Sequence, residues 1–351
     1  MNIKELFKKA LDEKASDLHL VVGMPPMLRI DGELMPIKGQ KELGQKEMEQ
    51  MVFSMLDEEQ KKKFTEEKDL DLGFSLDVKS RFRVNLRYER GNVSLVARVI
   101  NENLATLEEI GMPSIINNLL DLNQGLILVT GPTGCGKSVT LAAMINYINQ
   151  NRRCNIITLE DPIEFMFKSE KSIITQRQLG SDMVTFGSGL KHVLRQDPDV
   201  VMVGEMRDLE TIGTTITLAE TGHLVLATLH TYSAAQTVDR IIDIFPPHQQ
   251  NQVRMQLSMV LAAVISQRLL PKISGGRVAA REVMFNTPAV ANLIRENKIA
   301  QLRTVIETSS KEGMISMDQH LKKLYEEKVI TKEVAQSQMT NPEMLDKFKI
   351  L

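Results

Sequence analysis

Eight consecutive residues, Gly131 to Ser138, have the types and spacing of a phosphate-binding loop. They read Gly-Pro-Thr-Gly-Cys-Gly-Lys-Ser and fit the pattern G-x-x-x-x-G-K-[ST]. Glycines let successive backbone N–H groups turn toward a polyphosphate, while the lysine reaches the outer phosphates and the serine hydroxyl binds Mg²⁺. The alternative is a glycine-rich turn before an ordinary helix. We predict an ATP and Mg²⁺ site formed by Gly131, Pro132, Thr133, Gly134, Cys135, Gly136, Lys137, Ser138 and Val139.

Carboxylates follow two further apolar segments of the chain. Glu205 ends the segment that begins at Asp197, and an acid at this place normally faces Mg²⁺ or its waters, although it can also cap the next helix. Glu160 and Glu164 follow the apolar segment 156–159. Hydrolysis needs a base or an orienting group for water, and both of these glutamates are candidates.

Histidines and arginines complete the set of residues that could take part in catalysis or phosphate binding. His230 directly follows the apolar segment 224–229 and is predicted to sense the phosphates, with a purely structural histidine as the alternative. His223 precedes that segment and is not assigned a role. Arginines lie along the segments 81–88 and 93–100, namely Arg81, Arg83, Arg87 and Arg98. NTPases gain most from an arginine that reaches the transferring phosphate, often from a neighbouring subunit. A solvated basic strand face is the alternative.

The elements that must position these residues alternate between strand and helix. Four apolar segments predict parallel strands: 126–129, 156–159, 200–203 and 224–229. Helical spacing between them favours a doubly wound, mostly parallel sheet with its ligand at the carboxyl ends of the strands. The segment 248–270 is predicted as one long helix and 278–285 as a further strand pair or an edge strand, and the pattern from 287 to 338 is mostly helical.

The first hundred residues predict a separate α+β module. Its predicted strands are 18–22, 27–30, 33–37, 81–88 and 93–100, with a hairpin turn at Asp31-Gly32 and a helix over 47–64. At 351 residues, two or three domains are expected. We predict an N-terminal domain over 1–100, a linker over 101–123, an ATPase domain over 124–285 and a helical region over 286–351.

Composition excludes several classes of protein. The net charge of −2 does not suggest a nucleic-acid surface, and no apolar run approaches the roughly 18 to 20 residues of a membrane span. The two cysteines, Cys135 and Cys154, form no C-x-x-C pair, so neither a zinc site nor a disulfide framework is expected. These features indicate a cytoplasmic protein.

Together the motifs resemble the secretion-superfamily ATPases of type IV pili and of type II and type IV secretion. The likeness covers nearly the whole chain and includes the Gly131–Ser138 loop. The other segments that carry it are Ser16–Leu20, Thr158–Glu164 (the Asp box), Val203–Asp208 (Walker B) and Thr221–Thr231 (the His box).

The resemblance implies a RecA-like P-loop NTPase core, a smaller PAS-like α+β N-terminal domain and a helical C-terminal region, assembled as a homohexamer. It implies Glu164 as the catalytic base and Glu205 as the Walker B acid near Mg²⁺. Glu160 is expected to contribute to nucleotide binding, and His230 to act at the phosphates. Arg83 and Arg98 are the expected arginine fingers, with Arg81 as a third candidate.

Within this family the chain resembles the pilus retraction ATPases. Residues 289–296 resemble their Ala-Ile-Arg-Asn-Leu-Ile-Arg-Glu motif and depart from it at Val290 and Ala291. The extension and type II secretion ATPases usually carry a longer N-terminal region and a tetracysteine zinc insertion, and neither is expected here.

This resemblance implies an ATP-driven motor for pilus retraction and twitching motility at the cytoplasmic face of the inner membrane. Its expected partners are an inner-membrane platform protein and other pilus ATPases, with membrane association only through partners and no nucleic acid. The alternatives are a related secretion or pilus-extension ATPase, a nucleic-acid motor and a non-catalytic regulatory ring.

Overall fold

The computed structural model describes residues 2–30, 32–77, 80–100 and 104–345. The chain divides into two compact units. The first spans residues 1–103 together with the short segment 162–166, and the second spans 104–161 and 167–351. None of the helices within the described ranges is long and apolar enough to cross a membrane.

The first unit is a six-stranded antiparallel sheet with helices against it. Its helices are α1 (Ile3–Asp12), α2 (Gln45–Phe53) and α3 (Glu58–Glu67). Its strands are β1 (Asp17–Leu20), β2 (Met27–Ile30), β3 (Glu33–Pro36), β4 (Asp69–Ser75), β5 (Arg81–Glu89) and β6 (Asn92–Ile100), in the order β3-β2-β1-β6-β5-β4. This is the predicted α+β module, although β4 was not among the predicted strands. Asp31, half of the predicted hairpin turn, lies outside the described residues.

The alternation along β5 is confirmed. Phe82, Val84 and Leu86 are fully buried, while Arg83 and Arg87 are exposed on the opposite face. Successive side chains of a strand point to opposite faces, so one face builds the core and the other carries the arginines.

The prediction of one continuous helix over 47–64 is wrong, because the structure has two helices there. Helix α2 ends at Phe53, and Asp57 begins α3 with a capping box. The Asp57 carboxylate accepts from the Gln60 N–H at 2.8 Å, and the Gln60 side chain accepts from the Asp57 N–H at 3.2 Å. Such reciprocal bonds satisfy N–H groups that a helix start leaves without partners, so they favour a new start over a continuous helix.

The second unit is a seven-stranded sheet covered by helices. Its strands are β7 (Gly125–Thr130), β8 (Asn155–Glu160), β9 (Ile173–Gln178), β10 (Val200–Val203), β11 (Leu224–Leu229), β12 (Leu261–Pro271) and β13 (Arg277–Phe285). Its helices are α4 (Ile115–Leu120), α5 (Lys137–Asn151), α6 (Phe186–Val193), α7 (Leu209–Glu220), α8 (Ala234–Asp243), α9 (Pro247–Val260), α10 (Pro288–Arg295), α11 (Leu302–Thr308), α12 (Met317–Glu326) and α13 (Lys332–Gln338). Short 3₁₀ helices lie at Ile299–Gln301, Ser310–Glu312 and Pro342–Leu345.

The strand order is β13-β12-β7-β11-β10-β8-β9, and every neighbouring pair is parallel except β12 with β13. The predicted mostly parallel sheet, the four predicted core strands and the edge strand over 278–285 are confirmed. Strand β9 and helix α6 are additions that the sequence pattern did not predict.

The long helix predicted over 248–270 is wrong in its second half. Helix α9 ends at Val260, and the chain continues as β12, which pairs with β7. Ala263, Val264 and Ile265 are completely buried. A short apolar run cannot be assigned to helix or strand by periodicity alone, and here pairing with the central strand decides it.

A buried arginine ties the predicted linker to the second unit. The Arg281 guanidinium donates to the carbonyls of Gly111 (2.9 Å) and Ile110 (2.7 Å). Burial lowers the pKa of Arg281 to about 10. Residues 104–161 therefore belong structurally with the second unit, while the predicted domain boundaries stay predictions.

Candidate functional site

The residues predicted to act on a nucleotide emerge at one edge of the second sheet. The register pairs Thr130 of β7 with Leu229 of β11, and Val203 of β10 with both Ala227 and Leu159. Because these strands are parallel, their carboxyl ends meet at the same edge. The phosphate-binding loop, His230, Glu205 and Glu160 each lie at or just beyond these strand ends.

The loop between β7 and α5 has the backbone that its glycines permit. Gly131, Gly134 and Gly136 have φ values of +145°, +77° and +90°. A Cβ at Gly131 would collide with the Gln267 carbonyl and would approach the Cys135 sulfur to 2.6 Å. Only glycine fits at position 131, and its lack of a side chain lets the loop backbone pack directly against Gln267 and Cys135.

Lys137 folds back over its own loop. Its Nζ donates to the carbonyls of Gly131 (2.8 Å) and Pro132 (3.1 Å), and the side chain is buried. Ser138 is half-buried and Val139 exposed in the first turn of α5. The lysine and the serine are thus the first two residues of α5, at the helix N-terminus where partial positive charge favours an anion.

Gln267 holds the loop in place, and sequence reasoning missed it. Its side-chain amide donates to the Cys135 carbonyl at 2.9 Å and accepts from the Thr140 hydroxyl at 2.9 Å. Gln267 is 1% exposed. It lies on β12, the segment predicted as helix, and it comes beside the loop because β12 pairs with β7, a pairing that no local pattern in the sequence indicates.

We expect Gln267→Leu to weaken ADP binding about tenfold while the protein stays folded. The change leaves the Cys135 carbonyl and the Thr140 hydroxyl without their partner, at a cost of about 1–3 kcal/mol for each buried group. Isothermal titration with ADP measures the affinity, and Gln256→Leu on α9 serves as the matched control. Unchanged ADP affinity in a folded Gln267→Leu variant would contradict the assignment.

Glu205 lies at the centre of a charged cluster beyond β10. Its Oε1 accepts from Arg207 Nε at 2.8 Å and lies 3.2 Å from His230 Nε2, while its Oε2 accepts from Arg207 Nη2 at 2.9 Å. Burial raises the pKa of Glu205, but the Arg207 hydrogen bond and the charges of His230 and Arg207 outweigh it and lower the pKa overall. Glu205 is therefore an anion, and Arg207 is a further site residue that the prediction did not name.

The two candidate bases have different surroundings. Glu160 is buried, and its Oε1 accepts from Thr158 Oγ1 at 2.6 Å and from Gln176 Nε2 at 3.0 Å. Glu164 is exposed and lies in the segment 162–166, which belongs to the first unit. Glu160 is thus fixed by its neighbours, whereas Glu164 presents its carboxylate to solvent.

The predicted arginines lie together on the first unit. Arg83 and Arg98 are directly opposite each other on β5 and β6, and both are exposed. Arg81 is half-buried at the start of β5, opposite Ile100. His223 has a local role, because its Nδ1 lies 2.9 Å from the Leu218 carbonyl at the end of α7.

A cavity of about 340 Å³ borders the phosphate-binding loop. Its lining residues are Pro132, Thr133, Gly134, Cys135, Tyr232, Arg268, Leu269, Leu270 and Gln338. Arg268 Nη1 donates to the Gln338 carbonyl at 2.7 Å, while the buried Arg268 Nε has no hydrogen-bond partner within the described part of the chain. The cavity combines apolar walls with one cationic side chain.

No group of three or more His, Cys, Asp or Glu side chains among the described residues is arranged to hold a metal ion. Mg²⁺ beside a nucleotide needs no such cage, because phosphates, waters and one or two side chains supply its oxygens. Ser138 at the end of the loop and the anionic Glu205 have the donor chemistry for this role.

The sheet order and this loop define a P-loop nucleoside triphosphatase with a RecA-like fold. The chain belongs to the type II/IV secretion system protein family, whose model matches residues 1–345. It is 45% identical over 343 residues to the type IV pilus retraction ATPase PilT of Pseudomonas aeruginosa, covering 98% of this chain and 99% of that protein. It is 46% identical over 321 residues to a twitching motility protein of Neisseria gonorrhoeae, covering 91% and 86%. A crystal structure of the pilus retraction motor PilT with bound ADP superimposes with a TM-score of 0.92 at 44% identity, covering 99% of this chain and all of that one.

Proposed function

We propose that this protein hydrolyses ATP to power retraction of type IV pili, and thereby twitching motility. The observation that carries the proposal is the 45% identity to a pilus retraction ATPase over nearly the full length of both chains. The phosphate-binding loop, the anionic Glu205 and His230 at one sheet edge support an NTP-hydrolysing site rather than a non-catalytic ring.

Each site residue has a role in this proposal. Lys137 exchanges its two loop carbonyls for the outer phosphates of ATP, and Ser138 and Glu205 hold Mg²⁺ directly or through water. When bound there, Mg²⁺ would neutralise charge on the phosphates. Glu164 accepts the proton of the attacking water, while the buried Glu160 is an orienting group. His230, held by Glu205, lies where it can respond to the phosphate that leaves.

The cavity beside the loop is the proposed place of the nucleoside. It is continuous with the loop residues Pro132 to Cys135, and Leu270 and Tyr232 supply apolar and aromatic surface for a base. The Arg268 guanidinium can stack on a base or hydrogen-bond with it. This assignment accounts for a cavity that the phosphates themselves would not fill.

The working assembly in this proposal is a homohexamer. Arg83 and Arg98, with Arg81 as a third candidate, reach the ATP of a neighbouring subunit and stabilise the charge that develops on the transferring phosphate. The first unit then moves with the nucleotide state of its neighbour, which couples binding and hydrolysis to domain rotation.

The proposed site of action is the cytoplasmic face of the inner membrane, where the ring docks on a pilus platform protein and works beside other pilus ATPases. Residues 289–295 of the motif lie in α10 and Glu296 caps that helix. Ile294 is fully buried, and Asn292 donates to Glu296 at 3.0 Å on the outer side. That outer side is available for a partner, whereas Ile294 belongs to the core. The net charge of −2 favours a protein partner over nucleic acid.

The test uses a piliated bacterium that lacks its own retraction ATPase. We expect expression of this chain to restore twitching and pilus retraction, and we expect the matched Glu164→Gln variant to fail. That variant keeps its shape but loses the base, so turnover should fall by roughly 10²-fold or more. Restoration of pilus assembly in a strain that lacks the extension ATPase, without restored retraction, would favour the extension alternative and contradict the proposal.

A further inference from the structure

One row of charged side chains crosses four strands of the first sheet. Arg29 of β2 is opposite Asp17 of β1, which is opposite Arg98 of β6, and Arg98 is opposite Arg83 of β5. The row therefore contains three guanidinium groups and a single carboxylate. A surface with this balance fits a polyanion such as the phosphates of a nucleotide.

Asp17 is built into the sheet and is not a mobile surface acid. It is 4% exposed, and its Oδ1 accepts from Arg98 Nε at 2.9 Å. Its Oδ2 accepts from Ser16 Oγ at 2.8 Å and lies 3.8 Å from Arg29 Nε. Burial raises the pKa of Asp17, but the hydrogen bonds from Ser16 and Arg98 more than offset it and lower the pKa, so the carboxylate stays charged.

The hydrogen bond to Asp17 uses only the Nε–H of the Arg98 guanidinium. The Nε–H is bound to Asp17, while the side chain remains 71% exposed. No other hydrogen bond to the Arg98 guanidinium is seen among the described residues. Because the guanidinium is planar, fixing Nε also fixes the direction of the two terminal nitrogens and their four N–H groups.

The neighbouring arginine has no such support. The structure shows neither a hydrogen bond nor an ion pair for the Arg83 guanidinium within the described ranges, although it lies directly opposite Arg98. Like charges opposite each other on a sheet repel, so Arg98 would tend to turn away from Arg83. The Asp17 carboxylate opposes that tendency and keeps Arg98 in place.

We propose that Asp17 is a positioning residue that aims the terminal nitrogens of Arg98 at the ATP phosphates of a neighbouring copy of this chain. Arg83 completes the contact from the adjacent strand without a positioning carboxylate. The inference rests on the proposed function, because it needs Arg98 to act on a neighbour's nucleotide. A purely structural ion pair that joins β1 to β6 is the competing explanation.

The test compares turnover in Asp17→Asn with turnover in Arg98→Ala and in the double variant. We expect Asp17→Asn to lower kcat about three- to thirtyfold with little change in ADP affinity, because the neutral amide oxygen can still accept from Arg98 but lacks the charge that strengthens this hydrogen bond. In the Arg98→Ala background the same change should have no further effect, because Asp17 acts through Arg98. Asp69→Asn, an exposed carboxylate on β4 that accepts from Asn85, is the matched control with unchanged kcat.

Arg98→Lys gives a second readout on an exposed residue that does not depend on the folding of an Asp17 variant. Lysine keeps the positive charge but lacks the planar fork that Asp17 orients, so we expect kcat to fall nearly as far as in Arg98→Ala. Wild-type kcat in Arg98→Lys would overturn the inference, as would equal effects of Asp17→Asn with and without Arg98. If kcat is normal in Asp17→Asn but reduced in Arg98→Ala, the positioning role of Asp17 is wrong and the proposed function is unaffected. Normal kcat in Arg98→Ala overturns it together with the proposed role of Arg98.

Discussion

Two inactive variants, Arg83→Ala and Glu164→Gln, are expected to regain ATP hydrolysis when they are mixed. Each carries an intact copy of what the other lacks, and in a ring each interface joins one surface of a subunit to a different surface of the next. At equal mixing and free exchange, about a quarter of the interfaces combine an intact Arg83 with an intact Glu164. An arginine finger contributes about 10³ to 10⁵ in rate, so even a few repaired interfaces should be visible in a phosphate-release assay.

The controls for this experiment separate assembly from chemistry. Subunit exchange is followed independently by fluorescence transfer between labelled rings. Arg90→Ala removes an exposed arginine at the turn after β5 and should keep wild-type activity. When it is mixed with Glu164→Gln, the total activity should not exceed the activity of the Arg90→Ala subunits alone. If exchange occurs and no activity returns at any mixing ratio, the arginine acts within its own subunit, and the trans proposal is wrong.

Lys137→Ala is expected to remove tight nucleotide binding. Lys137 is the only cation within the loop Gly131–Ser138, and its Nζ already lies against the carbonyls of Gly131 and Pro132. A hydrogen bond to a charged group contributes about 1.5–3 kcal/mol, which corresponds to about a 10- to 100-fold loss of affinity for each phosphate contact. We therefore expect ATP affinity to fall by about 100-fold or more and hydrolysis to become undetectable.

The measurement is titration with a fluorescent ATP analogue, with thermal unfolding to show that the variant stays folded. Lys191→Ala is the matched control, because Lys191 is an exposed lysine of the same unit paired with Glu210. Its ATP affinity should match the wild type. An Lys137→Ala protein that is folded and binds ATP within threefold of wild type would contradict the assignment of the phosphate-binding loop.

Short-range patterns carried the correct predictions. The loop consists of eight consecutive residues, and the strands beside it are uninterrupted apolar runs. Short stretches of sequence therefore predict both the phosphate-binding chemistry and its place at the edge of a sheet. The alternation along β5 likewise predicted which side of the first sheet would carry Arg83. The errors came where local pattern is ambiguous. The apolar run that follows Val260 suits a buried helix and a buried strand equally, and only its pairing with β7 makes it a strand.

The sequence by itself determined that this protein binds a nucleoside triphosphate, because glycines, lysine and serine at fixed spacing specify a phosphate-binding loop wherever a strand and a helix flank them. The tertiary structure alone decided what supports that chemistry. Gln267 reaches Cys135 across 132 positions of the chain, and Asp17 reaches Arg98 across 81. Such pairs depend on sheet order and register, which arise from the packing of the whole core and leave no mark in local spacing.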